Sequence, residues 1–194
     1  ILISMIRTAE CITPKHPDKI CDRISDAILD ACLKQDPNTR AAIETMGGHG
    51  IITVTGELTT SAFVDIPEIV KSVYGKDIGV QTNIVMQSPE ISQGVDTGGA
   101  GDQGIMIGYA CTENDQMVPQ EYYLARKLCE SIFINHPYDG KTQVTILDDN
   151  SLNVVASFQN TSSEDLVYHI EDFFAETDYT INSLHCNPAG EWNL

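Results

Sequence analysis

Basic side chains are scarce in this sequence: 11 Lys plus Arg stand against 28 Asp plus Glu, a formal net charge of −17. That balance argues against a nucleic-acid or anionic-membrane surface, since both need clustered cations. A polyphosphate ligand would have its charge met largely by Mg²⁺ on carboxylates, or by basic residues from elsewhere. No apolar run is long enough to span a bilayer. Ile1-Leu2-Ile3 lacks the basic region and long apolar core of a signal peptide, and no Met opens the chain, so a true N-terminus upstream is expected. The six cysteines (Cys11, Cys21, Cys32, Cys111, Cys129, Cys186) contain no C-x-x-C pair. Such scattered thiols suit a reducing compartment, and the cytoplasm is the expected location. Cys11, His16 and Cys21 have no standard zinc spacing. There is no G-x-x-x-x-G-K-[ST] loop and no Rossmann fingerprint, and Ser61, Ser88 and the cysteines sit in no nucleophile motif.

What is present reads as globular. The 194 residues are 42% hydrophobic and 20% charged, enough for one large or two small domains with a real core. Residues 1–9 read as a strand or arm. Pro17 opens a helix running to about Gln35, with Ile20, Ile24, Ile28 and Cys32 on one stripe, and Asp36-Pro37 stops it. Arg40–Met46 and Ile51–Leu58 form a hairpin around Gly47-Gly48-His49-Gly50. Asp65 caps a short helix, and Val80–Met86 is a further strand. The pattern then returns: a strand over Gly104–Cys111, a helix from Pro119, strands at Thr142–Leu147 and Leu152–Phe158, a helix over Ser162–Glu176, and a strand at Tyr179–His185. The expected class is therefore α+β, with repeated strand-helix-strand-strand-helix-strand units whose helices lie on one face of each sheet. The expected domains are 1–96 and 97–194. A sheet with one bare face needs a cover, so association is expected.

Between the halves lies Gln87–Tyr109, with six glycines and no hydrophobic period long enough for a helix. Glycines there allow close main-chain approach to a ligand, and Asp96 and Asp102 supply charge; a linker is the plain alternative. His16-Pro17-Asp18-Lys19 places an imidazole, a carboxylate and an ammonium at a helix start, where a metal-bridged phosphate chain or an ordinary polar cap would sit. Glu44 lies mid-strand among apolar residues and is either paired, protonated or metal-bound, or simply points outward. Glu57 carries the same two readings. Asp139-Gly140-Lys141 begins a strand after a turn and is explicable as turn chemistry alone. His49, His136, His169 and His185 have no partner spacing.

Taken together, these stretches resemble S-adenosylmethionine synthetase (methionine adenosyltransferase). Gly99-Ala100-Gly101-Asp102-Gln103-Gly104 with Gly108-Tyr109 is similar to the first signature of that family. His16–Pro37, Gly56–Ile66, Gln87–Asp96 and Asp139–Ile146 resemble further family blocks in the right order. The resemblance covers essentially the whole chain but about the first half of a family member, so the chain is expected to be a fragment of the full enzyme with the third repeat absent. It implies a transferase that joins L-methionine to ATP, with tripolyphosphate cleaved to pyrophosphate and phosphate. By matching position it implies His16 and Lys141 as catalytic, with His16, Asp139, Lys141 and Trp192 at ATP. Glu57, Gln87 and Asp102 would bind substrate. Asp18 would hold Mg²⁺ and Glu44 would lie at K⁺, with Glu10, at an active-site carboxylate of the family, a further metal residue. Homodimers, or dimers of dimers, with shared active sites are implied as well.

Three departures from the family pattern stand out. Lys15 replaces a Gly before His-Pro-Asp, Glu191-Trp192 replaces an Arg-Phe pair at ATP, and the segment between Asp96 and Gly99 is shorter than the family's mobile loop. The 194-residue piece alone is expected to be inactive. The alternative reading is a non-catalytic, family-derived binding or regulatory subunit, and a third is a purely structural acidic module.

Overall fold

The computed structural model describes residues 6–101 and 103–193. In chain order the elements begin β1 (Arg7–Ile12), α1 (Pro17–Leu33), β2 (Arg40–Gly48), β3 (Ile51–Thr59), α2 (Ile66–Tyr74), β4 (Gly79–Val85) and α3 (Pro89–Asp96). They continue α4 (Gln120–Asn135), β5 (Gly140–Ile146), β6 (Ser151–Phe158), α5 (Ser163–Phe174) and β7 (Thr180–Cys186). The fold is α+β, with two sheets of order β2-β3-β4 and β1-β5-β6-β7, each packed by helices. Two compact units result: Pro17–Ile107, and the chain up to His16 together with Gly108 onward.

In the unit Pro17–Ile107, β2 and β3 form an antiparallel hairpin. His49 and Gly50 turn it with positive φ values of 49° and 81°, the geometry that glycine-containing two-residue turns favour. The α2 crossover then lays β4 parallel to β3. Asp65 caps α2 by accepting from the Glu68 amide at 3.1 Å. Strand alternation sends Ile43, Ile52, Val54, Val80 and Ile84 to one side, where they meet Ile24 and Ile28 of α1 and Val70 of α2. Each fully buried aliphatic among them contributes roughly 1.5–3 kcal/mol. The Asp36 carboxylate ties the end of α1 to the loop after β3, accepting from the backbone amides of Asn38 (3.0 Å) and Ser61 (2.8 Å). Those amides, Ser61's first, hold its pKa below the ordinary value.

The second unit repeats the scheme. β5 and β6 are antiparallel, α5 crosses over, and β7 lies parallel to β6. Alternate residues of β5 and β6, including Val144, Leu152, Val154 and Phe158, pack on Leu128 and Ile132 of α4 and on Leu166 and Ile170 of α5. Ser162 caps α5, donating to the Asp165 carboxylate and accepting from its amide.

Two expectations change. Gly104–Cys111 is not a strand, and Ile105, Met106 and Ile107 are 92%, 93% and 91% exposed. A strand persists only with its main chain paired, and the place beside β5 belongs instead to β1, in register from Arg7↔Ile146 to Ile12↔Lys141. The expected leading strand of the second repeat is thus supplied by the start of the chain. The glycine-rich stretch does contain a helix, α3. It is specified by its start rather than by a period, with Ser88 accepting from the Ile91 amide and Pro89 in the first turn.

β1 is anchored at both ends. The Arg7 guanidinium donates to both oxygens of Glu113 at 2.7 and 2.8 Å and lies 3.3 Å from Glu121. Glu113 also accepts from the Gln120 amide at the start of α4, 2.9 Å away. Cys11 packs against Cys129 of α4, and that sulfur contact, with burial, pushes the Cys129 thiol pKa up. Arg7, foremost, and the Gln120 amide hold the Glu113 carboxyl below the ordinary carboxylate range. A depressed folded value means stability that is present above the unfolded pKa and lost as pH falls through the folded one. Urea midpoints recorded from about pH 5.5 down to about pH 3 should therefore fall less steeply for Glu113→Gln than for the parent chain. Parallel curves would show that the ion pair adds nothing.

Candidate functional site

Two groups of the expected residues are gathered, one in each unit. In the unit Pro17–Ile107, Glu57 and Gln87 line one pocket of about 340 Å³, near the lower end of the ~300–1,000 Å³ usual for small-molecule sites. The register explains why. Glu57 of β3 faces Ala42 of β2, and Thr59 faces Arg40, so Arg40, Ala42 and Glu57 share a sheet face. Glu44, opposite Thr55, lies further along that same face, which is the one α1 and α2 do not cover. Its carboxylate is exposed, so of the two sequence readings the structure shows the outward one. Gln87 follows β4, where its amide N–H donates to the Thr59 hydroxyl at 3.3 Å. Its side-chain Oε1 is buried and has no partner among the described residues. Val95 and Gly101 complete the wall from α3 and the glycine segment. Asp18 sits in the first turn of α1 with an exposed side chain. Asp102 lies outside the described residues.

Gly56 makes this arrangement possible. Its φ is +133°, and a Cβ there would stand 2.0 Å from the Ala42 carbonyl oxygen. Only glycine lets β3 approach β2 this closely immediately before Glu57.

In the other unit, Lys141 Nζ donates to both oxygens of Glu10 at 3.3 Å, across the β1–β5 pair. Beside it, Thr13 is fully buried and stitches the segment before α1 onto β5. Its amide donates to the Gly140 carbonyl (2.9 Å), its hydroxyl to the Tyr138 carbonyl (3.0 Å), and the same hydroxyl accepts from the Gly140 amide (3.2 Å). The His16 amide donates to the Thr13 carbonyl at 3.1 Å, so the stitch also carries His16. Asp139 Oδ1 is buried with no partner among the described residues. Trp192 is 38% exposed and its carbonyl accepts from the Asn160 amide. Glu191, where the family pattern has a cation, accepts from the Ser163 amide at 2.6 Å, the first N–H of α5. That anion therefore serves the positive end of a helix.

The metal expectations fare unevenly. Among the described residues no three His, Cys, Asp or Glu side chains converge as a metal cluster. Asp18 and Glu44 offer exposed hard oxygen donors, one each, which suits a cation completed by phosphate and water. Glu10 is already engaged by an ammonium. Two residues that matter here drew no notice in the sequence. Arg40 opens a predicted strand, where the scarcity of cations in so acidic a chain is the available signal, and nothing in the sequence around Thr13 marks it.

Residues 4–97 match the profile of the S-adenosylmethionine synthetase N-terminal domain, and residues 97–192 match that of the central domain. The chain belongs to the S-adenosylmethionine synthetase family. It is 41% identical to an S-adenosylmethionine synthase of Nocardia farcinica, over 84% of this chain and 50% of that protein. It is 39% identical to one of Prochlorococcus marinus (88% and 50%) and 43% identical to one of Clostridium tetani (74% and 46%). The chain spans about half the length of the curated relatives it matches.

Replacing Gly56 by Ala tests how the Glu57 wall is built. Positive-φ strain and the clash with Ala42 should together cost at least about 2 kcal/mol in urea unfolding. Gly48→Ala, with open space around its Cβ, should stay within about 0.5 kcal/mol of the parent. Equal, small effects for both would contradict the close approach.

Proposed function

We propose that this chain supplies the N-terminal and central parts of an enzyme that forms S-adenosylmethionine from ATP and L-methionine, cleaving tripolyphosphate to pyrophosphate and phosphate. The observation that carries the reading is the convergence of Glu57 and Gln87 on one pocket, with the buried Gln87 Oε1 lacking a partner among the described residues. Glu57 and Gln87 there bind methionine, and Asp102 completes the substrate contacts. Asp139, Lys141 and Trp192 meet ATP, with Trp192 offering an exposed ring for adenine. His16 and Lys141 stabilise the departing triphosphate. The nucleophile is a neutral thioether, so no base is required and catalysis rests on alignment and on charge placed at the leaving group. That accords with a site lacking any triad.

Asp18 is the proposed Mg²⁺ donor and Glu44 the K⁺ donor, with Glu10 a further metal residue. Glu10 pairs with Lys141 and would exchange that ammonium for the metal. Bound Mg²⁺ would neutralise phosphate charge there. We also propose a homodimer, or a dimer of dimers, with shared active sites. The open face of β2-β3-β4 supports this, since it and its margins expose Met46 and Val85 at 71% and 56%. A cytoplasmic location is supported by six cysteines in no disulfide. No helix among the described residues is long and apolar enough to cross a membrane. A second reading, a non-catalytic binding or regulatory subunit, is favoured by one observation, the commitment of Glu191 to α5.

Radiolabelled methionine distinguishes the two. Joined to the remaining half of the Nocardia farcinica synthase, the chain should convert methionine and ATP to S-adenosylmethionine, and alone it should not. Lys141→Ala in the joined protein should lower kcat by roughly 10²-fold or more. A joined, folded protein that binds ATP and methionine without turnover would favour the regulatory reading.

A further inference from the structure

Among the described residues, Arg40 is the one cation on the wall that holds Glu57 and Gln87, and no role follows for it from the reading above. Its guanidinium is only partly used. Nη1 is held by Asp96 Oδ1 at 2.6 Å, at the last residue of α3. The Nε–H, by contrast, is buried and has no partner among the described residues. A buried donor left unmade costs free energy, and so does a buried acceptor. Here one of each, Arg40 Nε and Gln87 Oε1, belongs to residues that line the same pocket, as Glu57 does.

The three groups have a definite complement. Arg40 offers N–H to an anion, and its planar fork suits a carboxylate. Glu57 and Gln87 Oε1 offer only acceptors, which suit an ammonium. A ligand carrying both charges, an α-amino acid zwitterion, satisfies all three at once and adds no net charge to the pocket. The strands fix the spacing, because Arg40 and Ala42 lie on one face of β2 and Ala42 pairs with Glu57. Asp96 holds the guanidinium from its other edge and so orients Nε without occupying it.

We infer that Arg40 is a substrate-binding residue that takes the carboxylate of the amino acid bound between Glu57 and Gln87, with Asp96 positioning its guanidinium. This rests on the methionine reading of the pocket and adds to it a residue and an orientation: carboxylate toward β2, ammonium toward Glu57.

The test compares L-methionine with L-methioninol, which carries a hydroxymethyl group in place of the carboxylate, by calorimetric titration of this chain. The parent should prefer methionine by about tenfold or more, the range of a charge-assisted hydrogen bond. Arg40→Met should weaken methionine by a similar factor, leave methioninol nearly unchanged, and abolish the preference. Arg40→Lys, which keeps the charge but not the fork, should retain part of it and guards against misfolding of the first variant. Arg40→Met that still prefers methionine, or a parent that binds both ligands equally, overturns the role of Arg40 while leaving the enzyme reading standing. A parent that binds neither ligand, both alone and joined to the remaining half of the Nocardia farcinica synthase, overturns both.

Discussion

The pairing of β1 with β5 sets the terms for half of this molecule. A strand from early in the chain completes a sheet whose other strands come from Gly140 onward. The strand is not held by main-chain bonds alone. Arg7 reaches Glu113 at one end, Thr13 is buried against Gly140 at the other, and Cys11 packs into the core against Cys129 between them. The same placement gives Glu10 and Lys141 their meeting across the pair. A side chain on a strand has little choice of position, so anchoring β1 in register is also what aligns the charged residues on its outer face.

The other unit divides its labour by strand alternation. One side of β2-β3-β4 carries Ile43, Ile52 and Val54 into the helices, and the opposite side carries Arg40, Glu44 and Glu57. A one-residue slip would exchange the two sets. The apolar contacts with Ile24, Ile28 and Val70 therefore do more than stabilise the unit: by excluding the slipped register they keep the charged face outward. Gly56 is the point at which this arrangement leaves no tolerance, since its neighbour across the hairpin is a main-chain oxygen.

How much of this was legible in the sequence follows from the range of each interaction. Helices α1 and α4, both hairpins and the two crossover helices were readable because local period, caps and turn residues specify them: Asp65 and Ser162 as caps, His49-Gly50 as a turn. The destination of β1 was not, because a strand's sequence states that it pairs and not with what. The same limit produced the expected strand at Gly104–Cys111, whose apolar residues satisfy the pattern without a partner. In the site, Glu57 and Gln87 were found through family likeness and then brought to one pocket by the fold. Arg40 needed coordinates, since an arginine opening a strand looks like any solvated end until its Nε is seen to be enclosed. Glu191 was visible as a departure, but its use at α5 depends on a turn after β7 that no period encodes.

The edge strand has a consequence for how this chain is made. Glu10 and Lys141 stand 131 positions apart, and synthesis adds roughly 5–20 residues per second. The first strand therefore leaves the ribosome on the order of ten seconds before its partner exists. Through that interval Pro17–Ile107 can complete its own sheet, while a segment with an unpaired main chain waits beside it. A ribosome-associated chaperone that binds short extended peptides would find its principal client here in Arg7–Ile12, not in the part that folds first.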